Sequence, residues 1–81
     1  MDRFYTHVCA GANCAFDWEG DLLADADAAR DKALKGAREL VAEEIRGGCN
    51  EVDLEFMITN AIGEPVALLP ITATTTGLPE T

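Results

Sequence analysis

The chain has 81 residues, which is enough for one domain with a single hydrophobic core. Fifteen acidic residues against six basic ones give a formal net charge of −9, which repels the phosphates of nucleic acids and of anionic membrane surfaces. We therefore expect neither nucleic acid nor membrane as a partner, and the acidity serves either solubility or a basic protein partner.

Neither a membrane-spanning segment nor an export signal is predicted. No apolar run approaches the roughly 20 residues that a spanning helix needs. The N-terminal residues lack the basic and then apolar pattern of a signal peptide. We therefore expect a cytoplasmic protein.

A hairpin of two strands is predicted at the start of the chain. Residues 3–10 alternate along a run of aromatic and β-branched types. Residues 11–13 are small and suit a turn, and Phe16 and Trp18 then share one face of a returning strand, which Gly20 ends. Because two large aromatics on one strand face usually pack inward, we expect both in the core.

A long amphipathic helix is predicted over residues 26–46, after residues 22–23 lead the chain back over the sheet. Asp25 or Asp27 begins the helix, since either carboxylate can accept hydrogen bonds from first-turn amides. The glycines at 47–48 supply the left-handed exit of a helix C-terminus. Apolar side chains recur at three- and four-residue steps and form a stripe: Ala26, Ala29, Ala33, Leu34, Ala37, Leu40, Val41 and Ile45.

A second hairpin follows the helix. Residues 52–59 alternate strictly, and the apolar positions are Val52, Leu54, Phe56 and Ile58. Residues 60–63 form a turn that closes with a glycine at positive φ. The fourth strand is marked by Val66, Leu68 and Ile71. Its prolines, Pro65 and Pro70, lack amide donors, which favours an edge position in the sheet.

These elements predict an α+β fold with the order β-β-α-β-β. We expect a four-stranded, mainly antiparallel sheet in the order 2-1-3-4 with the helix on one face, because a right-handed crossover leaves room for the first strand between the second and third. Direct pairing of strands two and three, or exchange of hairpins between two subunits, are the alternatives. Residues 1–71 make this single domain, and residues 72–81, which lack periodicity, make a flexible C-terminal tail.

The sheet face away from the helix is the predicted place for function. In this assignment the helix covers the face that carries Phe4, Val8, Phe16, Trp18, Leu54, Phe56, Ile58, Val66 and Leu68. The other face is uncovered and carries more apolar side chains than a small monomer usually exposes. We therefore predict a homodimer or protein-partner surface formed by Tyr5, His7, Met57, Leu69 and Ile71; an apolar face without an occupant is the alternative.

The acidic residues at the end of the first hairpin raise the question of acid catalysis or ion binding. Asp17, Glu19 and Asp21 lie two residues apart, so their carboxylates could share a face. The segment lacks the alternating oxygen ligands and the distal Glu of a calcium loop. We therefore expect Asp17 and Glu19 to be solvated on the outer face of the sheet.

Three cysteines and one histidine are the candidates for metal or thiol chemistry. Cys9, Cys14 and Cys49 are an odd number at irregular spacing, so reduced thiols are expected, with a Cys9 to Cys14 bridge across the hairpin left open. His7 and Cys9 share a strand face, and the other two cysteines could complete a Cys₃His zinc site. The spacing is not that of a zinc knuckle, and a Cys and His nucleophile pair has no orienting third group. We predict no metal and no cofactor.

Several of these motifs resemble a family of short, mostly alphaproteobacterial proteins known only as a domain of unknown function. An aromatic first strand at residues 3–8 is one such motif, and the turn and strand at residues 60–66 are another. Between them the pattern is carried by Asp17, Glu19, Gly20, Leu23, Asp25, Ala28, Ala29 and Ala33. The likeness extends to about Ile71 and implies no activity, cofactor or catalytic residue. The chain departs from it at Asp2 and Ala24, where many relatives have proline, and its cysteines lie outside the pattern.

The sequence contains no recognisable catalytic, nucleotide-binding or nucleic-acid-binding motif. We therefore predict a non-enzymatic protein-interaction or regulatory module, able to self-associate through its open sheet face. The alternative is a metal- or thiol-dependent activity that uses His7 and the cysteines.

Overall fold

Five strands and one helix make up the fold of residues 1–74, which are the residues that the computed structural model describes. In chain order they are β1 (Asp2–Ala10), β2 (Asn13–Ala15), β3 (Asp21–Leu23), α1 (Ala26–Arg46), β4 (Glu51–Thr59) and β5 (Pro65–Thr74). The strands form one antiparallel sheet in the order β2-β1-β4-β5, and β3 also pairs with β1. The helix packs on one face of this sheet, which confirms the α+β class.

The sheet differs from the predicted one by an additional strand, β3, which shifts the numbering of the later strands; the other four, β2-β1-β4-β5, are arranged as the expected order 2-1-3-4 describes. Residues 22–23 were expected only to connect strand and helix, but they belong to β3, in which Leu23 pairs with Asp2 and Asp21 pairs with Phe4. A three-residue strand is too short for its alternation to be distinguished from a loop. Only the pairing with β1 reveals it.

The helix begins and ends as the sequence predicts. Asp25 is the N-cap, and its Oδ1 accepts a hydrogen bond of 2.8 Å from the Ala28 amide. At the other end Gly48 adopts a φ of +108°, a conformation that favours glycine. The buried residues of the helix are Ala29, Ala33 and Ala37. Because these side chains are small, the helix axis can approach the sheet closely.

The core lies between this alanine stripe and the inner face of the sheet. Strand β4 is the central contributor: Val52, Leu54, Phe56 and Ile58 are all buried, as predicted. Phe4 from β1 and Leu69 from β5 complete the buried set. Burial of these side chains provides the main favourable free energy of folding.

The inner and outer faces of β5 are the reverse of the prediction. Phe56 pairs with Leu69, which is 6% exposed, whereas Met57 pairs with Leu68, which is 57% exposed. Leu69 and Ile71 therefore face the helix, and their predicted place on the open face is wrong. A register shift after Ile58 inserts one extra residue into β5, and one residue is enough to exchange the faces of a strand.

The predicted core positions of Phe16 and Trp18 are also wrong. Strand β2 ends at Ala15, and the two aromatic side chains are 57% and 85% exposed. They lie in an irregular segment, so the two-residue periodicity that suggested a shared inward face does not apply to them.

The far end of the chain was predicted to be a tail from residue 72. Strand β5 continues to Thr74, where it pairs with Glu51. Residues 75–81 of the predicted tail lie outside the described residues. Within residues 1–74 no helix has the length and apolar character needed to cross a membrane.

Candidate interaction surface

A wide bulge separates β2 from β3, the two short strands that pair with β1. Val8 pairs with Ala15 in β2 and Phe4 pairs with Asp21 in β3, so five residues, 16–20, lie opposite three, 5–7. We call residues 16–20 the bulge segment. Because the surplus residues cannot form a regular ladder with β1, their backbone groups need other partners.

The Asp17 side chain provides those partners. Its Oδ2 accepts a hydrogen bond of 3.2 Å from the Thr6 amide of β1. Its Oδ1 accepts from the amides of Glu19, at 3.2 Å, and Gly20, at 3.0 Å. The carboxylate thus joins the bulge segment to the neighbouring strand. Asp17 is half-buried and hydrogen-bonded, which corrects the expectation of a solvated outer carboxylate.

These hydrogen bonds also change the acidity of Asp17. The Gly20 amide is the largest single cause that holds the pKa of Asp17 below its ordinary value of 3.8; partial burial opposes it, and the amides of Thr6 and Glu19 lower the pKa further. Attraction to the His7 ring in its protonated form acts in the same direction. The carboxylate is therefore charged at neutral pH, when it accepts these bonds best.

Glycine is required at the end of the bulge segment. Gly20 has a φ of +70°, and a Cβ atom there would lie 2.8 Å from the Phe4 carbonyl oxygen and 2.9 Å from the Tyr5 ring. Close by, the Arg3 guanidinium donates a hydrogen bond of 2.7 Å to the Glu19 carbonyl oxygen. Residues 17–20 therefore have a structural role in shaping the bulge.

An aromatic cluster projects from this bulge. The Asp17 amide donates to His7 Nδ1 at 3.1 Å, so the uncharged His7 ring carries its proton on Nε2, which lies 3.4 Å from Thr59 Oγ1. The Phe16 ring meets the His7 ring edge to face, with centroids 5.5 Å apart. The ring centroids of Phe16 and Trp18 are 6.2 Å apart.

The cluster continues across the uncovered face of the sheet. His7 pairs with Met57 in β4, and Met57 pairs with Leu68 in β5. Side chains directly opposite each other in paired strands lie on the same face. We define the open face by the residues of this row and its aromatic border: Tyr5, His7, Phe16, Trp18, Met57 and Leu68.

Three of the five predicted surface residues, Tyr5, His7 and Met57, lie on the open face, while Leu69 and Ile71 lie on the helix side. Phe16, Trp18 and Leu68 were predicted on the covered face but belong to the open face. A signal for Trp18 was present, since it stands between Asp17 and Glu19, and Gly20 follows Glu19. Charged neighbours and a glycine are typical of an exposed irregular segment.

The cysteines do not assemble with His7 into a metal site. Cys9 and Cys14 pair across β1 and β2 and form a disulfide, with Cα atoms 4.0 Å apart. The free Cys49 is exposed, and its thiol donates to Glu44 Oε2 at 3.6 Å, which raises the pKa of Cys49. No group of three possible metal ligands occurs among residues 1–74. The Cys9–Cys14 bridge that the sequence left open is therefore formed, and the expectation of a reduced thiol holds for Cys49.

The acidic residues near the bulge have separate roles rather than a common site. Asp17 holds the bulge segment, and Asp21 forms an ion pair of 2.8 Å with Lys32 of the helix. Both partners of that pair are about half exposed, so its contribution to stability is small. Asp17 and Asp21 thus have structural roles in the fold.

Comparison with known proteins finds one family. The family model described as Domain of unknown function (DUF6894) matches residues 3–72. No curated protein and no solved structure matches the chain. The matched range includes β1 except its first residue, the bulge segment, α1, β4 and most of β5.

Proposed function

Because the chain belongs to the DUF6894 family, whose description assigns no activity, we propose from its open face that it is a non-enzymatic protein-interaction or regulatory module. The observation that carries this proposal is the exposed pair Phe16 and Trp18 beside the uncovered row of His7, Met57 and Leu68. Contiguous patches of exposed apolar side chains mark interaction sites, whereas single exposed apolar residues are common on protein surfaces.

The arrangement of the aromatic pair supports a binding role. Trp18 is 85% exposed, so its side chain contributes little hydrophobic free energy to the stability of the monomer. Yet its segment is held by the three hydrogen bonds to Asp17 and by Gly20. Aromatic side chains that are ordered before binding lose little conformational entropy on binding, and tryptophan is enriched among residues that dominate interface energies.

Self-association is one form that this function can take. Two open faces in contact would bury the same residues on both subunits, as a two-fold dimer requires. Sedimentation velocity over a range of protein concentrations measures this directly. A concentration-dependent dimer that Trp18→Ser and Leu68→Ser convert to monomer supports the homodimer.

Affinity capture from a native lysate of the source organism tests the wider proposal. We expect the wild-type chain to retain a specific protein that Trp18→Ser and Leu68→Ser lose. Ile62→Ser is the matched control, because Ile62 is 79% exposed but lies in the turn between β4 and β5. If all variants sediment as the wild type does and capture the same proteins, the open face is not an interaction surface.

A cytoplasmic location is part of the proposal. In the cytosol the glutathione and thioredoxin systems keep most protein thiols reduced. Alkylation of free thiols in intact cells, followed by mass measurement, reports whether Cys9 and Cys14 are bridged there. In the cytosol we expect the Cys9–Cys14 bridge to be reduced, so that three cysteines are alkylated. Alkylation of Cys49 alone would show that the bridge persists in the cell and would contradict a cytoplasmic location.

A further inference from the structure

We propose that the open face binds a basic polypeptide segment, in which Arg or Lys side chains alternate with apolar ones. This inference rests on the proposed interaction function and adds the chemistry of the partner. It follows from where the charges lie relative to the helix and to the apolar row of the open face.

The net charge lies entirely outside the helix. Helix α1 contains five basic and five acidic residues, so it is neutral as a unit. The rest of the chain contains ten acidic residues and one basic residue, Arg3, which accounts for the whole net charge of −9. A surface dominated by one sign of charge attracts partners of the opposite sign and orients their approach.

Carboxylates stand among the apolar residues of the open face. Asp53 and Glu55 precede Met57 at two-residue steps on β4, so all three share one face of the strand, and both acids are exposed. Glu19 follows Trp18 directly in the bulge segment. A partner with alternating basic and apolar side chains would pair with these carboxylates while it covers the apolar row.

The exposed Trp18 adds a second means of binding cations. The face of an indole ring attracts guanidinium and ammonium groups, and tryptophan is the best of the aromatic residues at this. The carboxylates of Asp53 and Glu55 lie on the same face of the sheet as the aromatic cluster. The same surface would therefore favour arginine by ring stacking and by charge.

A second copy of the chain fits the open face less well. Face-to-face contact would enclose Asp53 and Glu55 of both subunits within a single interface. Like charges at an interface oppose association and reject the wrong partner. The charge pattern thus selects a basic chain over self-pairing.

The test uses a synthetic peptide of alternating arginine and leucine, with a peptide of alternating glutamate and leucine as its control. Fluorescence anisotropy of the labelled peptides measures affinity for the full chain. Trp18 is the only tryptophan, so a blue shift of its emission with unlabelled peptide reports contact at the bulge segment. Far-UV circular dichroism confirms that each variant is folded.

Two charge reversals separate a local site from general attraction. Glu55→Lys and Glu39→Lys change the net charge equally, but Glu55 lies on the open face of β4 and Glu39 lies on the exposed side of α1. We expect Glu55→Lys to weaken binding of the basic peptide by about tenfold, and Glu39→Lys to weaken it by about twofold or less. Trp18→Ala should weaken binding and Ile62→Ala should not.

Each outcome decides between the proposals. Equal losses for the two lysine variants, or equal binding of both peptides, would overturn the basic-segment proposal. If neither peptide binds but Trp18→Ser abolishes a dimer or capture of a native partner, the basic-segment proposal fails and the interaction function stands. If no assay depends on Trp18 or Leu68, both fail.

Discussion

The backbone amide of Asp17 donates a hydrogen bond of 3.1 Å to Nδ1 of His7. This contact joins the bulge segment to the ring on which Phe16 packs, and the Asp17 side chain accepts three amides around it. The exposed aromatic pair therefore has its position determined by a polar network rather than by burial. Four predictions follow. They concern the Asp17 network, Gly20 at the end of the bulge segment and Asp25 at the start of the helix.

Asp17→Ala should lower the free energy of unfolding by about 2 kcal/mol, because three backbone donors lose a charged acceptor. Asp17→Asn should cost about half as much, since its amide oxygen can still accept from Glu19 and Gly20. Urea denaturation followed by circular dichroism measures both. Glu55→Ala, at an exposed carboxylate of β4, is the control and should change stability by less than about 0.5 kcal/mol. Equal values for Asp17→Ala and Glu55→Ala would show that the network does not stabilise the fold.

The contribution of Asp17 should depend on pH. Because its pKa is lowered in the folded state from the ordinary 3.8, the charged form stabilises the fold above the unfolded-state pKa, and this stabilisation disappears as the pH falls through the lower, folded-state pKa. We expect the stability difference between wild type and Asp17→Asn to be constant near about pH 6 and to shrink below about pH 4. A difference that does not change over this range would contradict a lowered pKa.

Gly20→Ala and Gly36→Ala should have opposite effects. At Gly20 the added methyl group meets the Phe4 carbonyl oxygen at a positive φ, so we expect a loss of about 2 kcal/mol or more. At Gly36, in the middle of α1, a Cβ meets nothing within 4 Å, so alanine should stabilise the helix by up to about 1 kcal/mol. Thermal or urea unfolding checks the signs. If Gly20→Ala were neutral, the bulge would not need glycine.

Asp25→Ala should cost about 1 kcal/mol, because the Ala28 amide loses its side-chain acceptor at the N-cap. Asp27→Ala is the matched control: it removes a first-turn charge that favours the helix dipole but no capping bond, so about 0.5 kcal/mol is expected. Urea denaturation at low and high salt distinguishes the two, since only the dipole effect is strongly screened. A larger loss at Asp27 would mean that the cap lies there.

The sequence by itself determined the elements whose signal is local. The bounds of α1, its cap at one of two aspartates and the buried positions of β4 follow from three-, four- and two-residue periodicity, which depends only on backbone geometry. Tertiary structure decided the open face. The one-residue shift in β5 placed Leu69 inside and Leu68 outside, and the register of β2 on β1, with the bulge that follows it, left Phe16 and Trp18 exposed. Both depend on how strands pair. Apolar side chains occupy both faces of β5, so alternation alone could not choose between them, and the bulge is held by contacts with β1 such as the hydrogen bond from the Thr6 amide to Asp17.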